Sequence, residues 1–212
     1  MKGTWHMTRS SGYLRAGLRI SVLAEGDAGG LADAYLRNRA HLAPWEPKRR
    51  DSFFTPEQQL EIIRAKLAQH AAGSEVPWIL VKDKDDGADR AGTGSGDECV
   101  VGAVTLTGIV RGPFLSANLG YWVDRELTGQ GIGTAAVLFA AAYARTVLGL
   151  HRIQAATLPS NTASRRILQR TGFQEIGVAP EYLQIAGQWR DHLLHQLILP
   201  APQSLPATPR KA

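Results

Sequence analysis

The sequence has little of several features that would by themselves indicate a function. Its 212 residues include one cysteine, Cys99, which excludes an internal disulfide and is interpreted as a small buried residue of a strand. No apolar run approaches the roughly 20 residues of a membrane-spanning helix, and no apolar signal segment stands near the N-terminus. These absences predict a soluble cytoplasmic protein with no membrane role.

Acidic residues are also missing from one long stretch. The chain has 19 Asp and Glu residues, yet none lies between Leu127 and Gln174. The same stretch carries five arginines, at positions Arg145, Arg152, Arg165, Arg166 and Arg170. With a net charge of +5 and a pI of about 9.6, the sequence favours a partner that carries phosphates or acidic groups.

Three glycines open the acid-free stretch, in the segment "LTGQGIGTAA". Gly129, Gly131 and Gly133 stand directly before an alanine-rich helix pattern. The first turn of a helix presents unpaired N–H groups and the positive end of the helix dipole, which together bind anions. A dinucleotide fingerprint would need an acid about 20 residues later, and a P-loop would need Gly-Lys-Ser/Thr; both are absent. A plain tight turn and a pyrophosphate site remain as interpretations.

The rest of the sequence alternates short apolar runs with amphipathic segments. The expected order is a strand from Leu18 to Leu23, two helices, three strands, a long helix, a strand, a short helix and two strands. This order predicts one mixed α/β domain over residues 13–200, with a sheet of about seven strands. Composition predicts disordered tails at 1–12 and 201–212 and a mobile insertion at 83–98.

Two segments together resemble a known family. "GYWVDRELTGQGIGTAA" and "SNTASRRILQRTGFQEIG" are similar to the acetyl-CoA-binding core of the GNAT N-acetyltransferases, and most similar to the RimJ/RimL branch. The resemblance extends from about Leu18 to Leu199. It implies a GNAT fold: a mostly antiparallel sheet that splays between its fourth and fifth strands, flanked by about four helices.

The resemblance also implies which residues bind acetyl-CoA. In the family, the glycine turn holds the CoA pyrophosphate through backbone amides, and the backbone of the preceding strand faces the pantetheine arm. The residues in these roles are Tyr121, Trp122, Val123, Gln130, Gly131, Ile132, Gly133, Thr134 and Asn161. Thr128 departs from the family pattern, which has Gln or Arg there, and we expect a weaker grip on the phosphates as a result. Capping of the short helix by Ser160 or Asn161, and ordinary strand packing of Tyr121 and Trp122, are the structural alternatives.

The catalytic groups implied by the resemblance are less regular. The tyrosine that some members use as general acid is replaced by Leu168, so Ser164, which the family places near the sulfur, is the remaining candidate. The glutamate that some members use as base is replaced by Ala156. The RimL type has a glutamate before a tyrosine in the loop between the last two strands, and "PEYLQ" supplies Glu181 and Tyr182 there.

Family position places Trp45 and Glu46, in "HLAPWEP", on the acceptor side. His192 and His195 are three residues apart on an expected strand, so they face opposite sides and form no metal site. The expected function is acetyl transfer to a protein N-terminus, such as that of a ribosomal protein. The alternatives are a small-amine acetyltransferase and a non-catalytic acetyl-CoA-binding module. We expect no metal and no nucleic-acid role, and either a monomer or a homodimer.

Overall fold

The structure, a computed structural model, describes residues 11–83 and 98–200. The tails and the insertion expected at 83–98 lie almost entirely outside these ranges. The strands are β1 Gly12–Arg15, β2 Leu18–Val22, β3 Val76–Asp83, β4 Glu98–Val110, β5 Ser116–Val123, β6 Arg152–Thr157, β7 Gln174–Ile185 and β8 Gln188–Ile198. The helices are α1 Ala28–Arg37, α2 Arg39–Leu42, α3 Pro56–Ala71, α4 Ile132–Thr146 and α5 Thr162–Arg170.

The strands form one sheet in the order β1-β2-β3-β4-β5-β6-β8-β7, and every neighbouring pair except β5 and β6 is antiparallel. The predicted α/β class and mostly antiparallel sheet are confirmed. The described residues contain eight strands rather than about seven, because the four-residue β1 pairs with β2 through a hairpin at Gly17, where φ is +69°. They contain five helices rather than four, because Asn38 separates α1 from α2.

Helices cover both faces of the sheet, and the β3 sequence shows why. Alternate residues of a strand point to opposite faces, so a continuous apolar run such as "VPWILV" is buried on both sides. Trp78 packs edge-on against Phe139 and Tyr143 of α4, at centroid distances of 5.8 and 5.0 Å. Ile79 and Val81 belong to the opposite cluster, with residues of α1 and α3. The sheet therefore holds α4 at a fixed position against its centre.

The end of β5 is attached to α1 by a buried carboxylate. Asp124 is 3% exposed, and its Oδ2 accepts hydrogen bonds from Arg37 Nη2 at 2.7 Å and from Asn38 Nδ2 at 2.8 Å. Its Oδ1 accepts from the N–H of Glu126 at 3.0 Å, and the Asn38 side chain accepts from the N–H of Arg125 at 2.9 Å. Since these residues immediately precede the glycine turn, α1 fixes where the turn begins.

The neighbouring strands β5 and β6 separate along their length. Their parallel pairing covers Ser116–Asn118 of β5 and residues 152–154 of β6, and it ends there. The rest of β5 continues to pair with β4 as far as Val123, while β6 continues to pair with β8 as far as Thr157. A wedge-shaped opening results between residues 119–123 and 155–157. This is the splay that the sequence predicted, between the same two segments.

The last hairpin differs from the expectation. "PEYLQ" was expected in the loop between the final strands, but Glu181 and Tyr182 lie within β7, and the connection is the two-residue turn Ala186–Gly187. Both turn residues have positive φ, of 50° and 84°. The ladder is irregular between Ala179 and Leu183, where Pro180 is accommodated in a bulge. The strand thus continues through Pro180 to Ile185, because a bulge tolerates a residue without a backbone N–H.

Candidate active site

The glycine turn leads directly into α4, as the sequence predicted. Gly129 and Gly131 have φ of +77° and +79°, values that favour glycine, and a Cβ on either would meet no atom within 4 Å. Among the described residues, no side chain caps α4, whose N-cap is Gly131. The first intrahelical bond near this end runs from the N–H of Ala135 to the carbonyl of Gly131. The amides of Ile132, Gly133 and Thr134 are thus available to an anion.

At position 133, glycine is required for close packing and not for a positive φ. A Cβ on Gly133 would lie 2.8 Å from Cδ1 of Ile167, a distance that real Cβ contacts do not reach. Glycine at this position lets α5 approach the first turn of α4. The helix that carries Ser164 is consequently seated against the turn that the sequence assigns to the pyrophosphate.

Gln130 lies beside the turn with its side chain already engaged. Its Nε2 donates to the carbonyl of Glu126 at 3.1 Å, and its Oε1 accepts from Arg15 Nη2 at 3.0 Å. Thr128, the departure from the family pattern, donates its hydroxyl to the carbonyl of Arg125 at 2.8 Å. Both side chains therefore support the turn from within.

Ser164 is positioned by its helix and by β5. The side chain of Asn161 caps α5, and its Oδ1 accepts from the N–H of Ser164 at 3.0 Å. Ser164 Oγ lies 2.8 Å from the hydroxyl of Tyr121, and either atom can be the donor. Burial raises the pKa of Tyr121 to about 12, against the lowering effect of its bond to Ser164. At neutral pH the tyrosine hydroxyl is therefore protonated and can serve as a hydrogen-bond donor.

A cavity of about 410 Å³ opens at the splay and brings half of the predicted site residues together. Predicted site residues that line it are Trp45, Glu46, Tyr121, Trp122, Val123, Asn161 and Ser164. The N–H of Ala186 donates to the carbonyl of Glu46 at 2.9 Å, so the turn between β7 and β8 holds the acceptor-side segment against the cavity. Burial raises the pKa of Glu46, and Arg49, 3.6 Å away, partly offsets that effect.

Trp122 lines this cavity and is supported from behind by other aromatic side chains. Its indole Nε1 donates to the hydroxyl of Tyr35 at 3.1 Å, and the two rings lie 4.9 Å apart. Tyr35 also packs edge-on against Phe53 at 4.9 Å. This aromatic cluster joins α1 and the residues before α3 to β5.

The expected base does not lie in this cavity. Glu181 is exposed on β7 with φ of 45°, its N–H donates to Asp191 Oδ1 at 2.9 Å, and its side chain is absent from the residues that line the cavity. Tyr182 is 43% exposed and is likewise absent from the lining. Its ring lies 5.7 Å from that of His192.

His192 is a candidate functional residue that the sequence analysis did not identify. It is 3% exposed, lines the cavity, and lies across from Ala179 in the β7–β8 ladder. Its Nδ1 lies 2.9 Å from the carbonyl of Arg190, which can only accept, so Nδ1 carries a proton and Nε2 of the neutral ring has the lone pair. In the described residues no hydrogen bond to Nε2 is formed. His195 faces the other side of the sheet, as its spacing predicted.

In the part of the chain that the structure describes, no helix is long and apolar enough to cross a membrane. Nor does any group of three His, Cys, Asp or Glu side chains among those residues offer a metal site.

A splayed sheet beside a helix that starts at an uncapped glycine turn is the architecture of an acyltransferase. Residues 18–174 match the model of the acetyltransferase (GNAT) domain, and the chain belongs to this family of N-acetyltransferases. The resemblance drawn from the sequence is confirmed.

The relatives give a more specific comparison. The chain is 33% identical over 183 residues to the [ribosomal protein uS5]-alanine N-acetyltransferase of Escherichia coli strain K12, covering 86% of this chain and 88% of that protein. The ribosomal-protein-S5-alanine acetyltransferase of Vibrio fischeri has a similar structure, with a TM-score of 0.77 and 30% identity over 93% of this chain and 97% of that one. Mycobacterium smegmatis RimJ in complex with CoA-disulfide gives a TM-score of 0.75 and 32% identity, over 85% and 81% of the two chains.

Proposed function

We propose that this chain transfers the acetyl group of acetyl-CoA to the N-terminal α-amino group of a ribosomal protein. The observation that carries the proposal is that the Tyr121–Ser164 hydroxyl pair and the Trp45–Glu46 segment line one cavity. The acceptor class comes from the uS5 and S5 acetyltransferases to which the chain is similar. Such an acceptor is found in the cytoplasm, and we propose that location for this chain.

The turn fits the donor. Its uncapped amides at Ile132, Gly133 and Thr134 suit a pyrophosphate, and no Cβ at Gly129 or Gly131 obstructs a close approach. The unpaired edges of β5 and β6 beyond Asn118 suit the amide-containing pantetheine arm, with Asn161 at the entrance of α5. Acetyl-CoA supplies the activated thioester, and the chain supplies binding and proton transfer.

The general acid in this proposal is Ser164. Its Oγ holds the proton that the departing thiolate needs, and the protonated hydroxyl of Tyr121, 2.8 Å away, can replace that proton through the shared hydrogen bond. An N–H of β5 facing the opening would polarise the thioester carbonyl. The two hydroxyls therefore act as one unit.

The general base in this proposal is His192 rather than Glu181. The imidazole lines the cavity with a free Nε2 lone pair, whereas the Glu181 carboxylate is exposed outside it. His192 also lies on the same face of the sheet as Ala156, because Ala156 pairs with Leu194 two residues further along β8. Histidine is the side chain that most readily exchanges a proton near neutral pH. Glu46 and His41 are the other titratable groups on the same cavity besides Tyr121.

The acceptor test compares peptides with small amines. The only carboxylate among the side chains that line the described cavity is Glu46, which is too little negative charge for a polycationic amine. Peptides with a free N-terminal alanine or serine, the same peptides blocked at the α-amine, and a polyamine would be incubated with acetyl-CoA, with CoA release measured. We expect turnover of the free peptides alone. Faster turnover of the polyamine, or none of any acceptor, would contradict the proposal.

A further inference from the structure

A second cavity of about 330 Å³ adjoins the cavity of about 410 Å³ at the splay, which we call the transfer cavity, and shares Leu42 and Glu46 with it. Its aromatic lining consists of Tyr35 of α1 and of Phe53 and Phe54 in the segment before α3. Because the two cavities share these residues, a polypeptide bound in the transfer cavity can extend past Glu46 into the second cavity. An extended polypeptide advances about 3.3 Å per residue, so the residues next to the acetylated one would reach it.

The rim of the second cavity is cationic, and aromatic rings hold its arginines in position. The guanidinium of Arg39 lies 4.5 Å from the centroid of Phe54, and that of Arg49 lies 4.4 Å from the centroid of Phe53. Contacts of this kind are favourable for arginine over an aromatic face. The arginines thus reach the rim with less rotamer freedom left to lose when an anion binds.

Two further cations extend this rim. Lys48 lines the second cavity, and an adjoining cavity of about 560 Å³ is lined by Arg39, Lys48, Arg49, Arg50 and Asp51. Four cations thus surround the region, against the two carboxylates of Glu46 and Asp51. Arg39 is paired with Asp51 at 2.7 Å and Arg49 with Glu46 at 3.6 Å. Within the described ranges, Lys48 and Arg50 form no ion pair.

The charges are ordered along the route. Among the described residues, Glu46 is the one carboxylate that lines the transfer cavity and would attract an acceptor ammonium, whereas the cations line the second cavity and the one next to it. Building on the proposed function, we infer that the second cavity binds an acidic side chain at positions two to four of the acceptor polypeptide. The cavity would then select among protein N-termini, whereas the transfer cavity selects for the amine.

Peptides that differ in one group would test this inference. Three series of N-terminal alanine peptides would carry Glu, Gln or Lys in turn at positions two, three and four. We expect kcat/KM for the best Glu peptide to exceed that of its Gln counterpart by about five- to tenfold, chiefly through KM, as one or two partly exposed ion pairs would give. Lys at that position should be worse than Gln, and added salt should narrow all three differences.

Charge-reversed variants test whether the preference for Glu peptides depends on the cations of the second cavity. Lys48→Glu and Arg50→Glu should each reduce the preference for Glu over Gln to less than about threefold. Arg170→Glu, an equal charge change at an exposed position of α5 away from these cavities, should leave it unaltered. Equal kcat/KM for Glu and Gln peptides, or a preference that survives both reversals, would overturn the inference while leaving N-terminal acetylation intact. Failure to acetylate any peptide would overturn the proposed function as well.

Discussion

The hydroxyl of Tyr121 and the Oγ of Ser164 lie 2.8 Å apart, joining β5 to α5 across the transfer cavity. The two residues are separated by 43 positions in sequence. One comes from the strand that lines the opening, and the other comes from the helix that Asn161 caps. In the proposed mechanism, the proton that Ser164 would donate is therefore coupled to a second hydroxyl.

This coupling predicts non-additive losses. Ser164→Ala should lower kcat by about 100-fold, and Tyr121→Phe, which removes only the hydroxyl, by about tenfold. The double variant should resemble Ser164→Ala, because tyrosine acts through the serine. CoA affinity should change little in all three, as measured by calorimetry beside steady-state kinetics. A double variant that loses the product of the two single effects would show that the hydroxyls act separately.

If His192 is the general base, its ionisation and not that of Glu181 determines the pH dependence of the rate. His192→Gln should lower kcat by about 10- to 1,000-fold and remove the acidic limb of the pH–rate profile. Glu181→Gln, the matched change at the residue expected from sequence, should retain both activity and limb. Circular dichroism and CoA binding would establish that His192→Gln is folded. Loss of the acidic limb in Glu181→Gln, with His192→Gln unaffected, would return the role to the glutamate.

The contact between the glycine turn and α5 predicts that a substitution in α5 can compensate for one in the turn. Gly133→Ala should cost about 1–3 kcal/mol through overpacking against Ile167 and should weaken CoA binding. Ile167→Val removes the Cδ1 atom that the new Cβ would meet, so the double variant should recover much of that loss. Ile167→Val alone, expected to cost about 1 kcal/mol, is the control. Urea unfolding would measure stability, and simple additivity of the two changes would contradict the packing argument.

The buried carboxylate of Asp124 should make the stability of the fold depend on pH. Burial raises the pKa of this carboxyl, but hydrogen bonds from Asn38, the Glu126 N–H and Arg37 outweigh that effect and hold the pKa below its usual value. A depressed folded pKa contributes stability above the unfolded value of about 3.9, and this contribution is lost as the pH falls through the folded value. Asp124→Asn should cost about 3 kcal/mol at pH 7 and flatten the loss of stability below about pH 4. Urea unfolding from pH 3 to 7 would measure the free energy of unfolding of both proteins. The same pH dependence in Asp124→Asn and in the unchanged chain would contradict the prediction.

The anion site predicts ligand specificity. CoA at about 100 times its Kd should stabilise the chain by about 2.7 kcal/mol, a rise in Tm of roughly 5–10 °C. NADH should give no rise, because the acid that would hold its ribose is missing from 127–174. Gly131→Val should abolish most of the CoA effect, since valine disfavours φ of +79°. Stabilisation by NADH and not by CoA would contradict the assignment.

Local sequence signals predicted the parts of the site that are local in structure. The glycine spacing located the turn at residues 129–133, and the residues before α5 narrowed its cap to Ser160 or Asn161, of which the structure uses Asn161. The contacts of Tyr121 with Ser164 and of Asp124 with Arg37 join residues 43 and 87 positions apart, and no periodicity encodes them. His192 was recognised as facing away from His195, but which face held the cavity depended on how β8 pairs.

Because β5 and β6 pair over only three residues, the side chains along the opening between them can change without disturbing the sheet. If the donor is held mainly by main-chain groups along this opening, the side chains there contribute little to donor affinity. Ala155 and Ala156 could then be exchanged in evolution for residues that contact new acceptors, while acetyl-CoA binding is preserved. We therefore expect this edge of the sheet to be the most productive place to redirect the enzyme toward other amines.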